Sequence, residues 1–212
     1  MFPKIKEDYL DNGAKIVLVT RDDLPIIEME IMFNGGYAIE NENNLGLVNF
    51  TMSMLDEGTK KYSVFGYEDL KSELGSSISF GSSLDNSYAS LSSLKINFDK
   101  TLDLLYESLL NPTFPQEEID RLKKLWISNI DESLTTPASM AARKVGPLIY
   151  GKEHPYGKPS GSGKSEAVSN ITRDDIVDIH SKITNPTNAT FVLAGDITMD
   201  DAKRILNKKF KN

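Results

Sequence analysis

The chain has 212 residues, of which 39% are hydrophobic and 26% charged, with a net charge of -7 and no cysteine. That length suits one large domain or two small ones, and the balance is that of a folded globular chain. The acidity argues against a phosphate-backbone partner, so nucleic acid is excluded, and the missing thiols exclude disulfides and thiolate metal sites. The longest apolar runs are a few residues, too short to span a membrane. Met1-Phe2-Pro3-Lys4 holds no apolar signal core. Location stays open: periplasmic or secreted if a leader has been removed, otherwise cytoplasmic.

In chain order, Asn12-Gly13 between Ile5–Leu10 and Ala14–Thr20 predicts a tight hairpin with both turn residues at positive φ. Ile27, Met29, Ile31 and Phe33 alternate with Glu28, Glu30 and Met32, the period of a strand with one buried face. Leu45–Glu57 reads as a helix ended by Gly58, and Tyr67–Leu74 as a second ended by Gly75. Ser76–Ser83 and Asn86–Asn97 read as two serine-rich strands. Phe98, Leu102, Leu105 and Leu109 share one helical face. Pro115 then opens a long helix with Glu117 and Glu118 in its first turn and Ile119, Leu122, Trp126 and Ile130 as its stripe. A helix over Ala138–Ile149, a loop over Gly151–Ser165, a helix capped by Thr172, a strand over Phe191–Ala194 and a helix capped by Thr198 complete the chain. No linker or internal repeat divides it. The order predicts α+β architecture, a mostly antiparallel sheet with helices packed on it, in a single domain over residues 1–212.

Chemical motifs are few. Zinc needs three or four nitrogen, sulfur or carboxylate ligands. The two histidines, His154 and His180, fall in different elements, and neither His-Glu-x-x-His nor its inverse occurs. Gly157 to Ser165 imitates a phosphate loop, but its glycine spacing is one residue too long and no hydrophobic strand precedes it. The pairs Glu117-Glu118, Asp131-Glu132 and Asp174-Asp175 are neighbours that point apart on a helix. No Gly-x-Ser-x-Gly elbow accompanies the serines.

One stretch carries more. It runs Asn34-Gly-Gly-Tyr-Ala-Ile-Glu40, then Gly46-Leu47-Val48-Asn49-Phe50-Thr51-Met52-Ser53-Met54-Leu55, then Gly58-Thr59. It resembles the zinc-site helix of the pitrilysin, insulysin and mitochondrial processing peptidase family of metallopeptidases. Leu109 to Pro115, His154-Pro155-Tyr156-Gly157, Ile171 to Ile176, Asn185 to Ala189 and Ala194-Gly195-Asp196 are similar to further family segments in the same order.

The resemblance implies the metallopeptidase-like fold and, in active relatives, a zinc ion. The family's two histidines fall on Asn49 and Ser53, and its general base falls on Met52. A later glutamate ligand falls near Asn129. A neutral amide, a thioether and a hydroxyl are not a zinc ligand set, and Met52 cannot accept a proton. The resemblance therefore implies a non-catalytic homologue without zinc. It would be the first of two similar domains, and would serve as partner to a homologous zinc-bearing peptidase subunit. Two alternatives remain, a protease acting through another site and a purely structural assembly subunit. The family also adds substrate to a sheet edge as an extra strand. The matching segment is Ser79, Phe80, Gly81 and Ser82, so an extended peptide is the second expected partner.

Overall fold

The computed structural model describes residues 4–158 and 161–210. Strands β1 (Ile5–Tyr9) and β2 (Lys15–Thr20) pair antiparallel across the first turn. There the sequence expectation needs correcting. Gly13 has φ +88° and Asn12 is not at positive φ. Gly13 N–H donates to Leu10 O (3.0 Å) and Leu10 N–H to Ala14 O (2.8 Å), a tight turn whose last residue is left-handed. That three-residue solution is the next commonest hairpin after the two-residue one. Asn12 instead caps the turn through its side chain, accepting from Ala14 N–H (3.0 Å).

Four further strands, β3 (Ile26–Asn34), β4 (Ser77–Ser82), β5 (Asn86–Leu94) and β6 (Ala189–Gly195), complete one six-stranded sheet in the order β1-β2-β6-β3-β5-β4. Every pairing is antiparallel except β2 with β6. The α+β, mostly antiparallel architecture is as the sequence implied. Alternation sets the two faces. Ile27, Met29, Ile31 and Phe33 of β3 are buried with Ala89 and Leu91 of β5 and Phe191 and Leu193 of β6. Each such large apolar side chain contributes about 1.5–3 kcal/mol when fully buried.

Eight α-helices occur among the described residues: α1 (Leu47–Met52), α2 (Val64–Glu73), α3 (Phe98–Leu110), α4 (Gln116–Ser133), α5 (Pro137–Tyr150), α6 (Ser165–Asn170), α7 (Arg173–Ile183) and α8 (Met199–Lys209). On the core face α1 lies against β4 and α7, and α3 against β5. Phe210, just beyond α8, packs on Phe191 of β6 with ring centres 5.0 Å apart. On the opposite face Glu28, Val192 and Ala194 stay exposed.

Several element limits differ from the sequence reading, three of them near the site or its approaches. The helix expected over Leu45–Glu57 is α1 alone. Gly46, at φ +99°, is its left-handed N-cap, and after Met52 the chain continues in i→i+3 turns such as Met54 N–H to Thr51 O (3.1 Å). The strand expected to Asn97 stops at Leu94, where a 3-10 turn over Lys95–Asn97 leads into α3. The loop expected over Gly151–Ser165 contains a 3-10 turn at Pro155–Gly157, and Ser165 begins the short helix α6, which the polar sequence gave no reason to expect. Residues 159 and 160 of that loop lie outside the described residues.

Candidate functional site

The site is the junction of α1 with the edge strand β4. Asn49 lies in α1 and Ser53 is its C-cap, one turn on, with Ser53 N–H donating to Asn49 O (3.0 Å). Both are half-buried, whereas Met52 is wholly buried in the apolar core. The three fall within one turn at helical spacing, with Met52 the deepest of them. The Asn49 side chain is already engaged: its Oδ1 accepts from the Ser82 N–H (3.0 Å) and from Ser82 Oγ (2.9 Å). Its Nδ2 lies against Gly161, where an added Cβ would come within 2.7 Å of it and of the Tyr37 ring.

A buried carboxylate holds α1 from the other end. Glu40, 3% exposed, accepts from Gly46 N–H through Oε2 (2.8 Å) and from Val48 N–H through Oε1 (2.8 Å). It thereby satisfies two donors that a helix start leaves open. Burial pushes its carboxyl up to about 7, although both backbone donors favour the ionised form.

Ser162 and Gly163, from the segment that imitates a phosphate loop, lie against the start of α1 at Gly46. Trp126 Nε1–H of α4 donates to Ser162 O (2.9 Å), and its ring meets Phe50 of α1 edge-on at 5.6 Å. Arg143 of α5 donates to Ser162 Oγ (2.8 Å) and to Gly163 O. Tyr156 Oη–H donates to the Asp85 carboxylate (2.7 Å) in the β4–β5 turn. The sequence did not reveal these links, because each joins residues far apart in the chain.

The fourth expected position is on α4. Asn129 is exposed on α4 and lines a cavity of about 210 Å3 with Trp126, Ile130, Ser133 and Ser162. The two histidines have partners of their own. His180 is half-buried, its Nε2–H donating to Leu109 O (2.8 Å), and desolvation lowers its pKa. His154 accepts from Tyr156 N–H (3.1 Å) and stacks on Tyr150. Among the described residues no group of three or more His, Cys, Asp or Glu is placed to hold a metal ion.

Ser79, Phe80, Gly81 and Ser82 lie in β4. β4 is the last strand of the sheet. Ser83 N–H donates to Asn86 O (2.7 Å), which fixes the phase of the β4–β5 ladder. By alternation Ser79 and Gly81 point their backbone groups at β5, and Ile78, Phe80 and Ser82 point theirs outward. Asn49 takes the outward Ser82 N–H, leaving those of Ile78 and Phe80 on the open edge.

Residues 16–148 match the family described as Insulinase (Peptidase family M16), and residues 170–212 match the Peptidase M16 inactive domain. The chain belongs to the insulinase family. Its relatives include the non-peptidase homolog YmxG of Helicobacter pylori, 24% identical over 92% of this chain and 45% of the relative. The mitochondrial-processing peptidase subunit beta of Saccharomyces cerevisiae is 24% identical over 96% of this chain and 43% of that protein. The crystal structure of a peptidase M16 inactive domain from Pseudomonas fluorescens superposes with a TM-score of 0.91 at 26% identity, over 98% of this chain and 50% of that one. The chain thus spans about half the length of these relatives.

The site does not fit the zinc ion its family implies. Asn49 Oδ1 is committed to Ser82, Met52 is sealed in the core, and the remaining hydroxyl of Ser53 is a poor ligand for zinc. No peptidase step through a metal follows from these residues.

Proposed function

We propose that this insulinase-family chain holds extended peptide for a homologous zinc-bearing subunit, without binding zinc itself, and that it is the first of two homologous domains. The observation that carries the reading is the unpaired edge of β4 beside α1, with the backbone groups of Ile78 and Phe80 turned outward. Strand addition draws its affinity from main-chain hydrogen bonds, so it does not depend on the lost ligands. Asn49 marks where an added strand must end, because Ser82 N–H is taken.

Two further observations support a role in an assembly. The yeast relative is by name a subunit, and the relatives have about as much chain again. The helix α5 buries none of its residues and leaves Leu148 81% and Ile149 67% exposed. An apolar face of that kind marks a contact surface in most folded chains.

The test uses a short synthetic peptide of β-forming sequence, N-methylated on alternate amides in two series. Methylation of the amides that face β4 is expected to abolish binding measured by fluorescence anisotropy, and methylation of the intervening amides to leave it unchanged. Equal loss in both series, or no binding by the unmodified peptide, contradicts the reading.

A further inference from the structure

The sheet has a second open edge at β1, which pairs only with β2. Leu10 N–H donates to Ala14 O (2.8 Å), which fixes the phase of the β1–β2 ladder. By alternation the backbone groups of Lys6 and Asp8 turn toward β2, and those of Ile5, Glu7 and Tyr9 turn outward. Asp8 Oδ1 takes the Tyr9 N–H (2.8 Å), and the Tyr9 carbonyl and the groups of Ile5 and Glu7 remain for a neighbour.

The side chains divide in the same way. Lys6 and Asp8 stand opposite Leu18 and Ile16, both wholly buried, and so lie on the core side at the margin of the sheet. Ile5, Glu7 and Tyr9 stand on the open side, where Ile5 and Tyr9 are each 61% exposed. The strand therefore reads apolar, base, acid, acid, apolar, with an exposed apolar side chain at either end.

We infer that β1 pairs antiparallel with β1 of a second copy of this chain, about a two-fold axis at Glu7. That register sets Ile5 against Tyr9 of the second copy and Lys6 against Asp8 of the second copy, each contact occurring twice by symmetry. The Glu7 residues exchange both main-chain bonds, and each Ile5 N–H meets a Tyr9 carbonyl. Lys6 and Asp8 then face each other at a non-hydrogen-bonded position, where side chains lie closest. Among the described residues Lys6 has no ion-pair partner of its own, and Asp8 has Lys203 (2.8 Å). The two Glu7 carboxylates meet at the axis, and each has its own Lys15 (2.9 Å) to offset the repulsion.

A charged edge ordinarily keeps other strands away. Here the charges select one alignment. Slipping the antiparallel register by two residues, the smallest step that keeps the faces matched, sets Lys6 against Lys6 or Asp8 against Asp8. Parallel pairing in register sets every charge against its own kind. The β4 edge, Ser77–Ser82, carries no charge and gains nothing from β1. The inference uses the edge opposite to β4 and is independent of the peptide reading.

Sedimentation equilibrium of the chain tests it. A strand of five residues makes an interface well below the standard size of about 1,600 Å2, so a reversible dimer is expected at high micromolar concentration. Lys6→Glu sets acid against acid at both contacts, and Asp8→Lys sets base against base. Each variant alone, shown by circular dichroism to be folded, is expected to self-associate at least roughly tenfold more weakly. Mixed in equal amounts, the two should form a heterodimer of about wild-type affinity, because every contact again joins opposite charges. Wild-type association should also weaken as salt is raised. A wild-type chain that stays monomeric to millimolar concentration overturns the inference. So does a mixture that associates no better than its separate components, or wild-type association indifferent to salt.

Discussion

Met52→Glu is expected to destabilise the chain by about 3–5 kcal/mol, the range for an uncompensated charge in a core. Met52 is 0% exposed and belongs to the apolar cluster that includes Phe50, Leu55 and Leu105. The position onto which the resemblance places a general base is part of the core here. The loss should grow as pH rises, because the unfolded chain ionises the new carboxyl while the apolar surroundings hold it neutral. Met52→Leu conserves volume and polarity and should cost less than about 1.5 kcal/mol. Urea denaturation of the two variants checks this, and equal stability of both would contradict the placement of Met52. Returning all four family residues at once, Asn49→His, Met52→Glu, Ser53→His and Asn129→Glu, therefore confronts a folding penalty before any metal can offset it.

Glu40→Gln is expected to destabilise the chain by about 2–3 kcal/mol near pH 5, with a smaller effect near pH 8. The carboxyl satisfies two buried N–H groups at the start of α1, and an amide can accept one of them while presenting a donor to the other. The pH dependence follows from burial. Glu40 is pushed up to about 7 from an ordinary value of 4.5. Between those values the unfolded chain binds fewer protons than the folded one. The stability Glu40 contributes is thus full below pH 4.5 and is lost as pH rises through 7. A shift of that size corresponds to roughly 3 kcal/mol. Asp56, pushed up to about 6 mainly by burial, acts in the same direction. His180, lowered by burial, acts in the opposite one, since the unfolded chain gains its proton first on acidification. Comparing the stability of wild type and Glu40→Gln from pH 5 to pH 8 isolates the Glu40 contribution. A difference that widens toward pH 8 would contradict it.

The strands were legible because alternation is a local signal: Ile27 to Phe33 named both the strand and its buried face. The ends of elements were less so. Gly46 breaks the helix expected from Leu45 because its left-handed backbone serves as a cap, a choice made by Glu40 six residues earlier. Phe114, at φ +47° and buried, adopts a conformation that nothing in Thr113-Phe114-Pro115 announces. In the site, the residue types at 49, 52 and 53 were enough to exclude a zinc ligand set. Their arrangement was not. That Asn49 grips Ser82 and that Met52 is buried are tertiary facts set by how α1 and β4 meet. The glutamates of β3 were visible as the polar half of an alternating strand, but their alignment with the serines of β5 and β4 depends on register across three strands.

Zinc content tests the central claim most directly. The chain should be equilibrated with a slight excess of zinc, passed through a desalting column and measured by atomic emission against protein concentration. With Asn49 held by Ser82 and Met52 in the core, the account predicts far less than one zinc per chain and a melting temperature unmoved by chelator. One zinc retained per folded chain, released by chelator with a fall in melting temperature, would contradict it.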